Sequence, residues 1–446
     1  MRRALSLDSS PSLSAPLRFF VSAPIYVLIA GGLLLWSGPL ALASRWSPFA
    51  LALTHLFTLG ALGNAMLGAL VQILPVATGI HIYRPVVTAT VVHALLTIGA
   101  LSLSTAFVLS VPALYALSAV VLVGAFLWFL TAFVIGFFLT RKNRQKGSGD
   151  VLLSTRLALG SLFVTVVVGG MLAGAMSGAY TLPLQRVTHI HVLWGLSGWI
   201  GLLVAGIAYQ VIPMFLVTEP YPLAFTRWFA PGVFGLVLVL SLAAGFLPDD
   251  RATFVQPLFG NALGAAFTAL GGVTLYLLAT RKRAQADATT LFWRLSMASL
   301  VCCWPAWFLA VNTGRPAWFV TFGVLVLVGF AWSAVNGMLY KILPFLLWYH
   351  LQASLPMPMN IVPKVKDIIE DRTGKRQFAA HLVAVLLLVA ASQWPAPLAR
   401  VAGLALIVSA VWLGVVIVNA LKGYRRVSLL IESKFARPAA DAHRPE

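Results

Sequence analysis

The sequence predicts an all-α polytopic membrane protein with twelve transmembrane helices in three arcs related by pseudo-threefold symmetry. Three observations support this fold class: the composition, the number of long apolar runs and a segment that recurs three times. Hydrophobic residues make up 60% of the 446-residue chain and charged residues only 10%. Because charged residues form about a quarter of a typical soluble domain, this composition excludes a soluble globular fold.

Long apolar runs give the number of helices. A helix needs about 20 apolar residues to cross the hydrocarbon core of a bilayer. Twelve runs of sufficient length are predicted at 19–43, 50–78, 86–109, 112–140, 154–178, 187–217, 227–247, 258–280, 292–312, 317–347, 378–396 and 398–421. Residues 19–426 are therefore expected to form a single membrane domain, with polar tails at 1–18 and 427–446.

The basic residues predict the orientation. Lys and Arg number 31 against 12 Asp and Glu, which gives a net charge of +19. In a soluble protein this excess would indicate nucleic-acid binding. Here the positive charge lies in short connections on the side of both tails, as at 141–146, 281–287 and 422–426. Since cytoplasmic loops collect Lys and Arg, we expect both termini in the cytoplasm, a location in the cell inner membrane, and lipid as the partner instead of nucleic acid.

An internal repeat predicts the three arcs. The segment HVLWGLSGWIGLLVAGIAYQVIP begins at His191, and related segments, HLFTLGALGNAMLGALVQILP and FGVLVLVGFAWSAVNGMLYKILP, begin at His55 and Phe322. Their final residues, Pro75, Pro213 and Pro344, are 138 (213 − 75) and 131 (344 − 213) residues apart. A period of this length accommodates four membrane spans. The repeated segments should therefore form the second, sixth and tenth helices.

Histidines near the outer ends of two repeat helices are the candidate ligands. His55 lies 20 residues before its repeat proline and His191 lies 22, a difference in depth of about 3 Å. We expect these two imidazoles to approach opposite faces of one haem plane, with His189 as a further candidate ligand. Arg186 and Arg45 are candidates to pair with haem propionates. The alternative is that the histidines are interfacial residues bound to backbone carbonyls.

Two of these segments resemble a known superfamily. HLFTLGALGNAMLGALVQILP is similar to the second helix of nitric oxide reductases, and HIHVLWGLSGWIGLLVAGIAYQVIP resembles a ligand helix of haem–copper oxidase subunit I. That family has twelve helices in three arcs, a cytoplasmic N-terminus, a haem-ligating histidine early in the second helix and a His-x-His pair early in a long ligand helix. The resemblance implies the same fold and a bound haem.

The departures from the family pattern narrow the resemblance. The family carries its His-x-His pair on the tenth helix, whereas here that helix begins WFVTFGVLV. The sixth helix lacks a His-Pro-Glu-Val-Tyr segment and the seventh lacks a His-His pair, so a three-histidine copper site is not expected. The chain therefore looks closer to the divergent NnrS-like branch, whose members bind haem and belong to the nitric oxide response. This implies haem b, with His55, His189 and His191 as candidate metal ligands.

Several functional alternatives remain open at this stage. The resemblance implies gas binding or electron transfer, with a diatomic gas or an electron donor as partner, and it leaves a haem-dependent oxidoreductase activity undecided. The rival hypothesis is a transporter or transition-metal-handling protein on the same scaffold, in which the histidines bind copper or another transition metal. Cys302 and Cys303 are candidate soft copper ligands, although small buried apolar residues are the better interpretation.

Polar residues near the inner ends of the repeat helices form a second group. Gln72, Gln210 and Lys341, together with Tyr209, Tyr340 and Asn336, predict either a polar vestibule for protons or a small solute, or simple contacts with helix ends and lipid headgroups. For Lys341 we favour an ammonium group that reaches the interface. His381, which opens the eleventh helix beside basic residues, is predicted to be interfacial.

Overall fold

The helical architecture matches the sequence prediction. The computed structural model describes residues 7–145, 147–247, 249–355 and 361–435. Within these residues, twelve helices are long and apolar enough to cross a membrane. The all-α polytopic fold class is confirmed, and each predicted span coincides with one observed helix.

The helices are numbered α1 to α12 along the chain. Their bounds are α1 Ser14–Leu42, α2 Pro48–Thr78, α3 Pro85–Leu109, α4 Pro112–Asn143, α5 Gly149–Met176, α6 Leu184–Leu216, α7 Leu223–Phe246, α8 Val255–Ala279, α9 Ala288–Thr313, α10 Pro316–Ala353, α11 Asp371–Gln393 and α12 Pro395–Lys434. The first helix thus begins inside the segment predicted as a tail, and the last extends past 426. Of the predicted tails, residues 1–6 and 436–446 lie outside the described residues.

The three repeat helices form an inner ring. In their most apolar windows, 83% of the residues of α2 and 72% of those of α6 and α10 are buried, against 33–50% in the other nine spans of the described chain. The outer helices close around them, because α4 packs against α5, α8 against α9, and α12 returns to α1. Each set of four consecutive helices is therefore one arc.

Glycines bring each inner helix against the first helix of its own arc. They lie seven and fifteen residues before the repeat prolines: Gly68, Gly206 and Gly337, and Gly60, Gly198 and Gly329. A Cβ at each would come closer than 3.0 Å to a side chain on α1, α5 or α9, namely Phe19, Ser154, Phe292, Tyr26, Ser161 or Ser299. Small residues permit such close approach between membrane helices. The repeated glycines therefore form the same helix–helix contact in each of the three arcs.

Each inner helix also contains a π-helical segment. These segments are Leu56–Gly63, Leu193–Gly201 and Leu325–Trp332. They begin 19, 20 and 19 residues before the three repeat prolines. π-helical turns are rare and are frequently found at functional sites. Three π-helical segments at corresponding positions of the inner helices therefore indicate a candidate functional level of the ring. The first starts directly after His55, and the second starts two residues after His191.

The centre of the ring is apolar. A cavity of about 70 Å³ lies where the three inner helices meet. Met66, Val204 and Val335, each nine residues before its repeat proline, line this cavity together with alanine, leucine and isoleucine side chains of the same helices. Phe20 of α1 and Trp293 of α9 also contribute to the lining, so this cavity is apolar.

The close contact at Gly337 gives a test of the packing. We expect Gly337→Ala to lower the thermal unfolding midpoint of the purified protein, because the added methyl group would meet the Cβ of Phe292 on α9. Overpacking of this kind costs about 1–3 kcal/mol. The matched control is Gly323→Ala on the same helix, where no atom lies within 4 Å of the added Cβ. Equal midpoints for the two variants would contradict this packing.

Candidate functional site

The structure brings His55 of α2 and His191 of α6 together. Their ring centres are 6.5 Å apart and their planes are inclined by 21°. Each histidine lies seven residues after the first residue of its helix, which places both about 10 Å inside the bundle from the same surface. This is the surface opposite to the one at which α1 begins and α12 ends. The latter is called the basic face below, because it carries Lys142, Arg281 and Lys282.

Hydrogen bonds fix the tautomer of both imidazoles. His55 donates from Nδ1 to the carbonyl oxygen of Leu51 at 2.8 Å, and His191 donates from Nδ1 to the carbonyl oxygen of Thr165 at 3.1 Å. A carbonyl oxygen only accepts, so Nδ1 carries the proton on each neutral ring. The lone pair of each Nε2 is then available, which is the arrangement of a metal-binding histidine oriented by a backbone carbonyl.

Helix α5 positions His191. It supplies the carbonyl of Thr165 and, one turn later, Gly169. A Cβ at Gly169 would lie 2.9 Å from Cε1 and 3.3 Å from Nδ1 of His191. A larger residue at this position would therefore move the imidazole and weaken its hydrogen bond to Thr165.

An aromatic side chain closes the site on the α3 side. The ring of Phe107 stacks on His55 with centres 5.1 Å apart and planes inclined by 28°. Phe107 in turn meets the edge of Tyr115 on α4, with ring centres 5.4 Å apart. One wall of the histidine pair is thus aromatic, and the imidazoles of His55 and His191 are themselves only partly exposed.

His189 lies outside the histidine pair. Its Nε2 is 3.5 Å from Nη2 of Arg45, and its ring centre is 6.1 Å from that of Trp46. The Arg45 guanidinium lies over the rings of Trp46 and Phe319 at 4.9 and 4.0 Å, and burial lowers its pKa. Two residues of α-helix separate His189 from His191 by about 200° around the axis, which explains why they face different neighbours. Among the described contacts, His189 is therefore a neighbour of Arg45 and not of His55.

The other predicted site residues are dispersed. Arg186 is exposed on the first turn of α6, at the same surface as Arg45. At the basic face, Gln72 donates to the hydroxyl of Ser10 at 2.7 Å, and Lys341 forms an ion pair with Asp287 at 2.8 Å. Lys341 therefore has a specific carboxylate partner, where we predicted an ammonium group that merely reaches the interface.

Two further predictions about single residues are corrected. His381 is fully buried within the bundle, because the eleventh helix begins ten residues earlier, at Asp371. Cys302 is exposed on the outer surface of α9, and only Cys303 is buried. Their different orientations exclude a shared copper site within the bundle.

The histidine pair can provide two ligands to one metal ion. Among the described residues, no group of three or more His, Cys, Asp and Glu could hold a metal, whereas zinc sites in proteins use three or four protein ligands. A pair of imidazoles suits a metal that brings its own equatorial ligands, or a two-coordinate Cu(I). Bonds of about 2 Å to both Nε2 atoms would place the ring centres roughly 6 Å apart, close to the observed separation.

Several residues of the site could not be identified from the sequence. Thr165 contributes a backbone carbonyl, which every residue possesses. Gly169 lies in an apolar run with other glycines that only favours helix packing, and Phe107 is one of 27 phenylalanines. A π-helical segment has no established sequence signature, so the distortion after each histidine was not predicted either.

Comparison with known proteins adds no family to this geometry. No protein-family model matches the chain, and no curated protein matches it in sequence. A function can therefore be inferred from the histidine pair, its hydrogen bonds and the side chains that contact the two imidazoles.

Proposed function

We propose that the protein is a haem-b-binding integral membrane protein of the haem–copper oxidase fold, related to the NnrS-like branch. In this proposal His55 and His191 would hold the iron of one haem between them. The observation that carries it is the pair of imidazoles with ring centres 6.5 Å apart and planes inclined by 21°, each with its Nδ1 bound to a backbone carbonyl. Bound haem would supply an iron able to exchange one electron or to bind a diatomic gas at a free position.

The chemistry of the donor set supports haem over a bare metal ion. Two imidazoles leave most coordination positions of iron or copper open, and a porphyrin supplies four nitrogens of its own. Phe107 and the π-helical segments provide apolar surface at the same depth as the histidines. An apolar surrounding of this kind also raises the free-energy cost of charge on the iron and thereby tunes its potential.

The two histidines are held differently, which bears on the choice between electron transfer and gas binding. His191 is fixed by a second helix, through Thr165 and Gly169. His55 donates only to Leu51 of its own helix. With both rings bound, the site suits one-electron transfer or sensing. His55 would hold the haem from its own helix and beside the stacked ring of Phe107, so it is tied to one helix where His191 is tied to two.

Arg45 is the proposed partner of the carboxylates of the bound group. Its guanidinium is half-buried between Trp46 and Phe319, in the connection between α1 and α2, and it contacts the imidazole of His189. A guanidinium binds carboxylates in a bidentate manner. Arg186, on the first turn of α6, is proposed as a second partner at this surface.

The proposed location follows from the charges. Lys and Arg concentrate at the basic face, so by the positive-inside rule this face is cytoplasmic in the proposal and the histidine pair lies in the outer half of the cell inner membrane. The electron donor or gas would then reach the site from the outer side.

The rival function, transport or handling of a transition metal, has less support. The cavity at the centre of the ring is lined by apolar side chains. The histidine pair has no third His, Cys, Asp or Glu ligand among the described residues. A metal carrier needs several ligand groups along the route of the bare ion. The apolar cavity supplies no such ligands, and the histidine pair supplies only two.

The absorption spectrum tests the proposed ligands. We expect purified protein to show a Soret band and the pyridine haemochrome spectrum of haem b. His55→Ala and His191→Ala should each abolish haem retention or change the iron from six- to five-coordinate, because each removes one axial ligand. His189→Ala is the matched control and should keep the wild-type spectrum. A colourless protein that retains copper, or a spectrum unchanged in both ligand variants, would reject the proposal.

Gly169 allows a test that leaves both histidines in place. We expect Gly169→Ala to reduce the haem-to-protein ratio, because the added Cβ would lie 2.9 Å from Cε1 of His191. The control, Gly160→Ala on the same helix, has no atom within 4 Å of the added Cβ and should retain haem fully. Haem content is measured by pyridine haemochrome per chain. Equal haem content in the two variants would show that α5 does not position His191.

A further inference from the structure

A group of buried polar side chains lies between α10 and α11, in the third arc. It consists of Ser333, Asn336, Tyr340, Gln377 and His381, and is called the α10–α11 cluster below. Four of these residues are 0% exposed and Tyr340 is 9% exposed. Burial of polar groups in an apolar interior is unfavourable unless they form hydrogen bonds. Their hydrogen bonds therefore show whether every buried polar atom of the cluster has a partner within the protein.

The hydrogen bonds of Ser333 determine the tautomer of His381. The Ser333 hydroxyl donates to the carbonyl oxygen of Val328 at 3.1 Å. Since its only proton is used there, the 2.8 Å contact between Ser333 Oγ and His381 Nε2 must be donated by the imidazole. A neutral imidazole with a proton on Nε2 has its lone pair on Nδ1. That Nδ1 is buried and has no hydrogen-bond partner.

The side chain of Asn336 also lacks hydrogen-bond partners. Neither its Oδ1 nor its Nδ2 has a partner, although both atoms are buried. Asn336 lies three residues after Ser333 and four before Tyr340, so the three side chains share one face of α10. The cluster thus contains three buried atoms, two acceptors and one donor group, that require a partner from outside the protein.

The cluster extends toward the basic face. Tyr340 donates from its hydroxyl to Oε1 of Gln377 at 3.2 Å, and Gln377 donates from Nε2 to Ser409 of α12 at 3.2 Å. Gln377 lies one helical turn before His381. Because α11 begins at Asp371 and carries charged residues as far as Arg376, His381 is about 15 Å from that end of the helix and about 8 Å beyond the last charged residue. The polar side chains therefore lead from the charged end of α11 into the buried part of the bundle.

We propose that the α10–α11 cluster binds ordered water, which satisfies Asn336 and Nδ1 of His381 and connects His381 with the basic face through Gln377 and Tyr340. A buried water typically forms about three hydrogen bonds to polar groups that would otherwise be unsatisfied. Water both donates and accepts, as the two unpaired acceptors and the unpaired amide donor require. A proton can then pass from a hydronium ion to Nδ1, so that an N–H bond forms, an O–H bond breaks and water remains.

The surroundings of His381 contain few other ionisable groups. The ring of Phe292 on α9 lies 5.4 Å away, and α12 contributes the hydroxyl of Ser409 to the cluster. Tyr340 is the titratable member of the cluster on α10. The next residue, Lys341, forms an ion pair with Asp287, which Arg283 also approaches at 4.0 Å. No carboxylate among the described partners of the cluster competes with water for His381.

This inference does not depend on the proposed haem site. The α10–α11 cluster belongs to the third arc, whereas His55 and His191 belong to the first and second arcs. A protein without haem could still hold water here, and a haem protein could have a dry cluster. The two proposals therefore fail in different experiments.

Hydrogen–deuterium exchange at the imidazole Cε1–H, followed by mass spectrometry of the protein in nanodiscs, tests water access to individual histidines. His81, partly exposed in the loop after α2 at the basic face, is the internal reference. We expect the maximal exchange rate of His381, taken from its pH profile so that the pKa of each ring is accounted for, to lie within about tenfold of the His81 rate, because exchange requires solvent base to reach the ring. If His381 keeps its hydrogen while His81 exchanges completely, the cluster is dry and the proposal is overturned.

A variant tests the part played by Asn336. We expect Asn336→Leu to slow exchange at His381 by about tenfold or more, since an apolar side chain replaces the group that holds the water, and to leave His81 unchanged. Asn312→Leu, at the exposed end of α9, is the matched control and should exchange as the wild type does. Unchanged exchange at His381 in Asn336→Leu would overturn the assignment of Asn336 as a water ligand. The wild-type measurement decides the proposal even if this variant does not fold.

Discussion

Close contact between each inner helix and the first helix of its arc is the constraint on which the rest of the structure depends. Lipid tails are as apolar as leucine, so burial of apolar surface does not draw membrane helices together. Glycines at two levels, eight residues apart in each inner helix, let the backbones approach and form many dispersion contacts. Because this contact recurs three times, it fixes α2, α6 and α10 at equal depth around one axis.

Equal depth is what allows histidines from different arcs to face each other. His55 and His191 lie in corresponding turns of α2 and α6, and a π-helical segment follows each of them. An i→i+5 turn contains more residues than an α-turn. It therefore rotates the following turns of the helix about its axis. The turn that carries the histidine and the turns that carry the glycines can then pack against different neighbouring helices. The third repeat keeps the π-segment but has Val324 and Phe322 where the other two have histidine.

The third arc holds a buried polar cluster where the other two share the histidine pair. Its inner helix carries Ser333 and Asn336, whose counterparts in the other repeats are apolar except for Asn64, and α11 supplies His381 and Gln377 opposite them. Groups of this kind are costly inside a membrane and are functional candidates for that reason. The same scaffold thus holds an apolar histidine site between two arcs and a polar cluster within the third.

The sequence by itself determined the number of helices and the three arcs, and it placed His55 and His191 within about 3 Å of the same depth, because the length of apolar runs and the spacing of repeated segments can be counted along the chain. It did not determine that His189 turns toward Arg45, that Lys341 pairs with Asp287, or that His381 is buried. Only the tertiary structure decided these, together with the roles of Thr165 and Gly169. Each depends on the rotation of one helix relative to a neighbour distant in the chain, and that rotation is set by side-chain packing and π-turns, which hydrophobicity patterns do not encode.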